Sequence, residues 1–152
     1  MSAYDIASAW MAEGVTEVAG DGDNFAIMSM LTLDNAWPEH DEVPWCAGFV
    51  GFVAMNARLH RSKSLRARSW LTVGEPIELE NARAANDVVI LSRGSGQQPG
   101  PENVTAPGHV GFYVAHEPDK VYLLGGNQND SVNIRSYPIG RLLGVRRLQP
   151  IW

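Results

Sequence analysis

The chain has a single cysteine, Cys46, among its 152 residues. An internal disulfide is therefore excluded, and the thiol is left as a small core residue or a nucleophile. No paired cysteines or closely spaced histidines suggest a zinc site. Asp21-Gly22-Asp23-Asn24 opens like a calcium loop, but Thr32 stands where the bidentate glutamate would be, so no metal is expected. Gly94-Ser95-Gly96-Gln97-Gln98-Pro99-Gly100-Pro101 lacks the Gly-Lys-Ser/Thr of a phosphate cradle and reads instead as a mobile loop bordering a cleft. No organic cofactor is implied either. Nothing approaches a transmembrane span, and Met1-Ser2-Ala3-Tyr4-Asp5 has neither a basic start nor an apolar core, so neither membrane insertion nor a signal peptide is expected. The formal charge of -5 argues against nucleic acid as a partner. The basic run Arg58–Arg68 reads as a solvated helix end, with contact to ligand carboxylates or an anionic polymer as its functional alternative.

What is present points to one compact domain over residues 1–152, since 45% hydrophobic residues suffice for a core without staples. Helical periodicity places helices over Ile6–Gly14, Asn24–Leu33 and Cys46–Arg61, and Arg66–Trp70 is expected to add a turn. Strand patterns follow over Asp87–Arg93, His109–His116, Lys120–Gly125, Ser131–Ser136 and Leu142–Leu148. Helices first and antiparallel strands after is an α+β layout, with N-terminal helices on a sheet of about five to six strands.

Cys46 falls in the first turn of the third helix, behind Pro44, with Asp41 and Glu42 as cap or dipole partners. The unpaired N–H groups there are expected to lower the pKa of a thiol. A nucleophilic cysteine needs a base, and four histidines compete. His40 lies in a polar loop, His60 at a helix end and His116 at a turn. His109 opens the strand Gly108-His109-Val110-Gly111-Phe112-Tyr113-Val114, and the flanking glycines are expected to leave its ring edge exposed. The next strand ends in Gly125-Gly126-Asn127-Gln128, which places Asn127 or Gln128 where a side-chain carbonyl accepts from the imidazole. Asn127 is the preferred orienter and Gln128 the alternative. Trp45 is expected to wall the cleft and Trp70 to pack in the core.

The segments Asp41-Glu42-Val43-Pro44-Trp45-Cys46-Ala47, Gly108-His109-Val110-Gly111-Phe112-Tyr113 and Leu124-Gly125-Gly126-Asn127-Gln128 resemble the NlpC-like and CHAP-like cell-wall hydrolases. Within that superfamily the chain looks most like a branch of small bacterial and prophage proteins. The likeness extends to Ala67-Arg68-Ser69-Trp70-Leu71, Asp87-Val88-Val89-Ile90-Leu91-Ser92-Arg93 and Arg141-Leu142-Leu143-Gly144-Val145-Arg146-Arg147, and takes in Gly20-Asp21-Gly22-Asp23-Asn24. Asn86 and Gly48 depart from it. The resemblance implies a papain-like fold with Cys46 as nucleophile, His109 as base and Asn127 as third residue. It implies cleavage of a peptidoglycan amide by an endopeptidase or N-acetylmuramoyl-L-alanine amidase. Trp45, Asp41, Glu42 and Arg93 are the expected cleft residues. Such an enzyme, a monomer made in the cytoplasm, reaches the wall by release or delivery, as a phage lysin or an antibacterial effector. Its partners are then peptidoglycan and an immunity protein or delivery machinery. Two other readings remain open: a non-catalytic wall- or particle-binding module, and a papain-fold amidase or deamidase with another substrate.

Overall fold

The computed structural model describes residues 1–16, 25–31, 45–128 and 130–151. The fold is α+β: the described residues form three helices followed by a six-stranded, wholly antiparallel open sheet. Helix α1 spans Ala3–Ala12, α2 Phe25–Leu31 and α3 Cys46–Asn56. The strands are β1 Glu75–Ile77, β2 Asp87–Ser92, β3 Gly108–Glu117, β4 Lys120–Gly125, β5 Asn133–Pro138 and β6 Leu142–Arg147. They lie in the order β1-β6-β2-β3-β4-β5, with short 3-10 turns at Ala67–Thr72, Leu79–Asn81 and Ile139–Arg141. Among the described residues no helix is long and apolar enough to cross a membrane.

Helix α1 begins three residues before the periodicity places it, because its start is set by capping. The Ser2 hydroxyl accepts from the Asp5 N–H (3.2 Å), and the Asp5 carboxylate accepts from the Ser2 N–H (2.8 Å). Asn86, one of the two departures from the resemblance, ties α1 to the foot of β2. Its side-chain oxygen accepts from the Ala3 N–H at 2.9 Å. Gly48, the other, lies under α2. A β-carbon there would stand 3.2 Å from the Leu31 side chain and 3.4 Å from the Met30 carbonyl oxygen, so glycine lets the two helices approach.

Helix α3 stops at Asn56, well short of the expected Arg61. Arg58 adopts a left-handed conformation (φ 58°), the Leu59 N–H bonds back to the Ala54 carbonyl, and the Arg58 N–H bonds to the Met55 carbonyl. This paired closure normally recruits glycine. The chain then turns to the C-terminal segment, where the His60 N–H reaches the Gln149 carbonyl and the Ile151 N–H the Arg58 carbonyl.

The core has two parts. Between helices and sheet lie Phe49, Val50, Val53 and Trp70 with Val88, Ile90, Val110, Phe112 and Leu124. On the other face Val89, Leu91, Tyr113, Val121, Leu123 and Val145 pack together. The alternation of these two sets along β2 to β4 follows the two-residue period of a sheet buried on both faces. A bidentate pair, Arg147 Nε to Asp87 Oδ1 at 2.8 Å and Nη2 to Oδ2 at 2.9 Å, pins the register of β6 on β2.

Candidate active site

Helix α3 docks its first turn where β4 has ended and β3 begins. Gly126 permits this approach, since a β-carbon on it would stand 2.6 Å from the Trp45 ring and 2.7 Å from Phe49 Cβ. Trp45 is therefore not a cleft wall: it is fully buried, packed against Gly126 and the helix-side core. Trp70 is likewise buried in that core. Cys46 follows directly, and the backbone N–H of Val110, the residue after His109, is among the groups that favour its thiolate. Helix start and strand start thus meet.

His109 is oriented by Gln128, not by Asn127. The Gln128 side-chain oxygen lies 2.9 Å from His109 Nε2. Its amide nitrogen faces acceptors only: the Leu123 carbonyl (3.1 Å), the Asn133 carbonyl (2.8 Å) and Asn133 Oδ1 (3.1 Å). Since that end of the amide must be the NH2, the other end is the carbonyl, and it accepts from Nε2–H. The proton of the neutral imidazole therefore sits on Nε2, and Nδ1 is a bare acceptor. Asn133 in turn holds the Gln128 main chain, donating from Nδ2 to its carbonyl at 2.7 Å. Asn127 instead makes the turn. Its φ of 58° puts it in the left-handed region that asparagine tolerates, and that turn aims the following side chain at His109.

The His109 ring is buried rather than edge-exposed, with 4% of its surface accessible. Tyr137 of β5 tilts over it, ring centroids 5.2 Å apart, with its hydroxyl 3.3 Å from Nε2. The Arg141 guanidinium lies over the Tyr137 ring and donates from Nε to the Ser92 carbonyl at 2.9 Å. The other histidines take no part among the described residues. His116 bonds the Tyr113 hydroxyl at the far end of β3, and His60 is exposed. His40, Asp41 and Glu42 lie outside the described residues.

The electrostatics differ from what the helix start alone implies. Burial pushes the Cys46 thiol above its ordinary pKa, outweighing the opposing N–H groups of Val110, Ala47 and Cys46 and the guanidinium of Arg93. Burial likewise takes the His109 imidazole down to about 4; the Gln128 hydrogen bond opposes this, while Arg93 and Arg141 add to it. At neutral pH the thiol and the imidazole are therefore both uncharged. Burial also raises the Tyr137 hydroxyl to about 12, so it remains protonated.

A cavity of about 230 Å³ opens over Cys46, lined by Leu65, Arg66, Arg93 and the stretch from Thr105 to Gly108. The loop that ends in this wall is braced by hydrogen bonds from Arg68. Arg68, fully buried, donates to the carbonyls of Pro107 (2.9 Å), Pro99 (3.0 Å), Gly100 (2.9 Å) and Asn103 (3.1 Å). Gly108 leaves room for this brace, since a β-carbon there would stand 2.9 Å from Arg68 Cγ. The basic run is thus not all solvated. The Arg68 brace, Tyr137 and Asn133 carry no local signal in the sequence; the only hint is that Arg68 falls among the segments of the resemblance.

No protein-family model matches the chain, and no curated protein matches it.

Proposed function

We propose that the protein is a papain-like cysteine hydrolase that cleaves an amide bond of the peptidoglycan stem, with Cys46 as nucleophile, His109 as base and Gln128 as orienting residue. The observation that carries this reading is the locked Gln128 amide, which keeps the imidazole proton on Nε2 and leaves the bare Nδ1 available to a thiol proton. The wall substrate comes from the resemblance of the three motifs, and release or delivery from the same source.

In this mechanism the Cys46 sulfur attacks the amide carbonyl as its proton passes to His109 Nδ1. The resting pair is neutral, so proton transfer accompanies attack rather than preceding it. The oxyanion forms near the first N–H groups of α3, a helix start that Trp45 does not cap with its side chain. His109 then gives the proton to the departing amine and leaves a thioester on Cys46. A water, deprotonated at Nδ1, attacks the thioester, and the sulfur regains its proton as the acid departs.

The rival is a module of the same architecture with an inert thiol, and the 4% exposure of Cys46 is the observation in its favour. Alkylation of the folded protein separates the two. The hydrolase reading expects labelling of Cys46 by iodoacetamide through the open cavity, faster with rising pH and with a midpoint above that of an ordinary thiol. No labelling until the protein is unfolded supports the module.

A further inference from the structure

Arg93 extends from the end of β2 into the cavity over Cys46. The neighbouring arginines are all engaged: Arg66 donates to the Thr105 carbonyl at 3.0 Å, Arg68 braces the loop, Arg141 holds the Ser92 carbonyl and Arg147 pairs with Asp87. Among the described residues, neither a carboxylate nor a hydrogen-bond acceptor meets the Arg93 guanidinium, and no aspartate or glutamate lines the cavity. This occurs in a chain whose formal charge is -5, so the local sign opposes the global one. An unpaired guanidinium against a low-dielectric wall draws anions to that spot.

We propose that Arg93 is an anion subsite, and that the substrate residue entering the cavity carries a carboxylate which Arg93 binds while Cys46 attacks the adjoining amide. The fork of donors on a guanidinium matches a carboxylate in two parallel hydrogen bonds. The size of the cavity supports a peptide residue as occupant. Its volume, about 230 Å³, is below the roughly 300–1,000 Å³ of sites that take larger ligands, so one amino-acid residue fits it better than a disaccharide. Arg93 also bears on the chemistry, since its charge favours the thiolate of Cys46 and the neutral form of His109. Calling the bound anion a substrate rests on the amide-hydrolase reading; the subsite itself does not.

Two reagents of nearly equal size test it on the folded protein, anionic iodoacetate and neutral iodoacetamide. Both alkylate the same sulfur, so changes in thiol pKa or access cancel in the ratio of their rates. In Arg93→Gln the iodoacetate-to-iodoacetamide ratio is expected to fall about tenfold, the scale of one charge-assisted contact. Arg93→Lys, which keeps the charge, is expected to retain most of the wild-type ratio. A ratio unchanged in Arg93→Gln, or an equal drop in both rates, overturns the subsite. No amide substrate enters the measurement, so a protein inactive on wall peptides that still shows the ratio change loses the hydrolase reading and keeps the subsite.

Discussion

Gln128→Ala is expected to lower kcat for amide hydrolysis about a hundredfold, whereas Asn127→Gly leaves it within about twofold. The asymmetry follows from what each side chain does. Gln128 is 1% exposed and accepts from His109 Nε2–H, so its loss lets the imidazole rotate or take the other tautomer. Misplacing a base by an ångström costs on the order of a hundredfold. The truncation also leaves Nε2–H with only the longer contact to the Tyr137 hydroxyl and removes a donor from the Leu123 and Asn133 carbonyls, at a cost of about 2–3 kcal/mol of stability. Rates are therefore to be compared well below the unfolding midpoint, with circular dichroism to confirm the fold. Asn127 contributes a φ of 58°, which glycine adopts without strain. The reverse outcome, a large loss in Asn127→Gly and little in Gln128→Ala, would return the orienting role to Asn127.

Acid is expected to destabilise the fold through His109. The ring titrates near 4 in the folded chain against 6.5 for an unperturbed histidine. Between those values the unfolded chain binds a proton that the folded chain refuses, so stability rises with pH across this window. The contribution is complete above 6.5 and is lost as pH falls to 4, about 3 kcal/mol at most. Urea unfolding of wild type and His109→Gln over that range isolates the effect, because the other titrating groups are common to both. Titration of the His109 ring by NMR measures it directly. A ring that stays protonated well above 6.5 would mean a preformed thiolate–imidazolium pair, and would contradict the neutral resting site.

The sheet is largely legible in the sequence because its central strands are short apolar runs bounded by turn residues. Lys120–Gly125 is delimited by the turn before it and the glycines after it, and the structure keeps those bounds. Glu75–Ile77 is invisible to the pattern because a three-residue edge strand containing Pro76 carries almost no periodic signal. Periodicity overruns the end of α3 because Leu59 continues the apolar spacing, while the left-handed residue that closes the helix is an arginine rather than a glycine. Cys46 and His109 stand out by their positions at the starts of a helix and a strand. Their pKa directions do not, since burial decides both. The choice between Asn127 and Gln128 is a question of phase beyond the strand, and it turns on a single positive φ. Arg68 shows the deepest limit: nothing local distinguishes a buried guanidinium that binds four loop carbonyls from its solvated neighbours in a basic run.

Whether Cys46 cleaves a wall amide is decided by digesting purified peptidoglycan with the wild-type protein and with Cys46→Ala, and weighing the soluble fragments by mass spectrometry. Fragments are expected from the wild type alone, as whole stem peptides if the muramoyl amide is cut and as shortened stems if a peptide bond is. Sacculi left intact by a correctly folded wild-type protein, or cut equally by Cys46→Ala, would contradict the assignment of Cys46 as the nucleophile of a wall hydrolase.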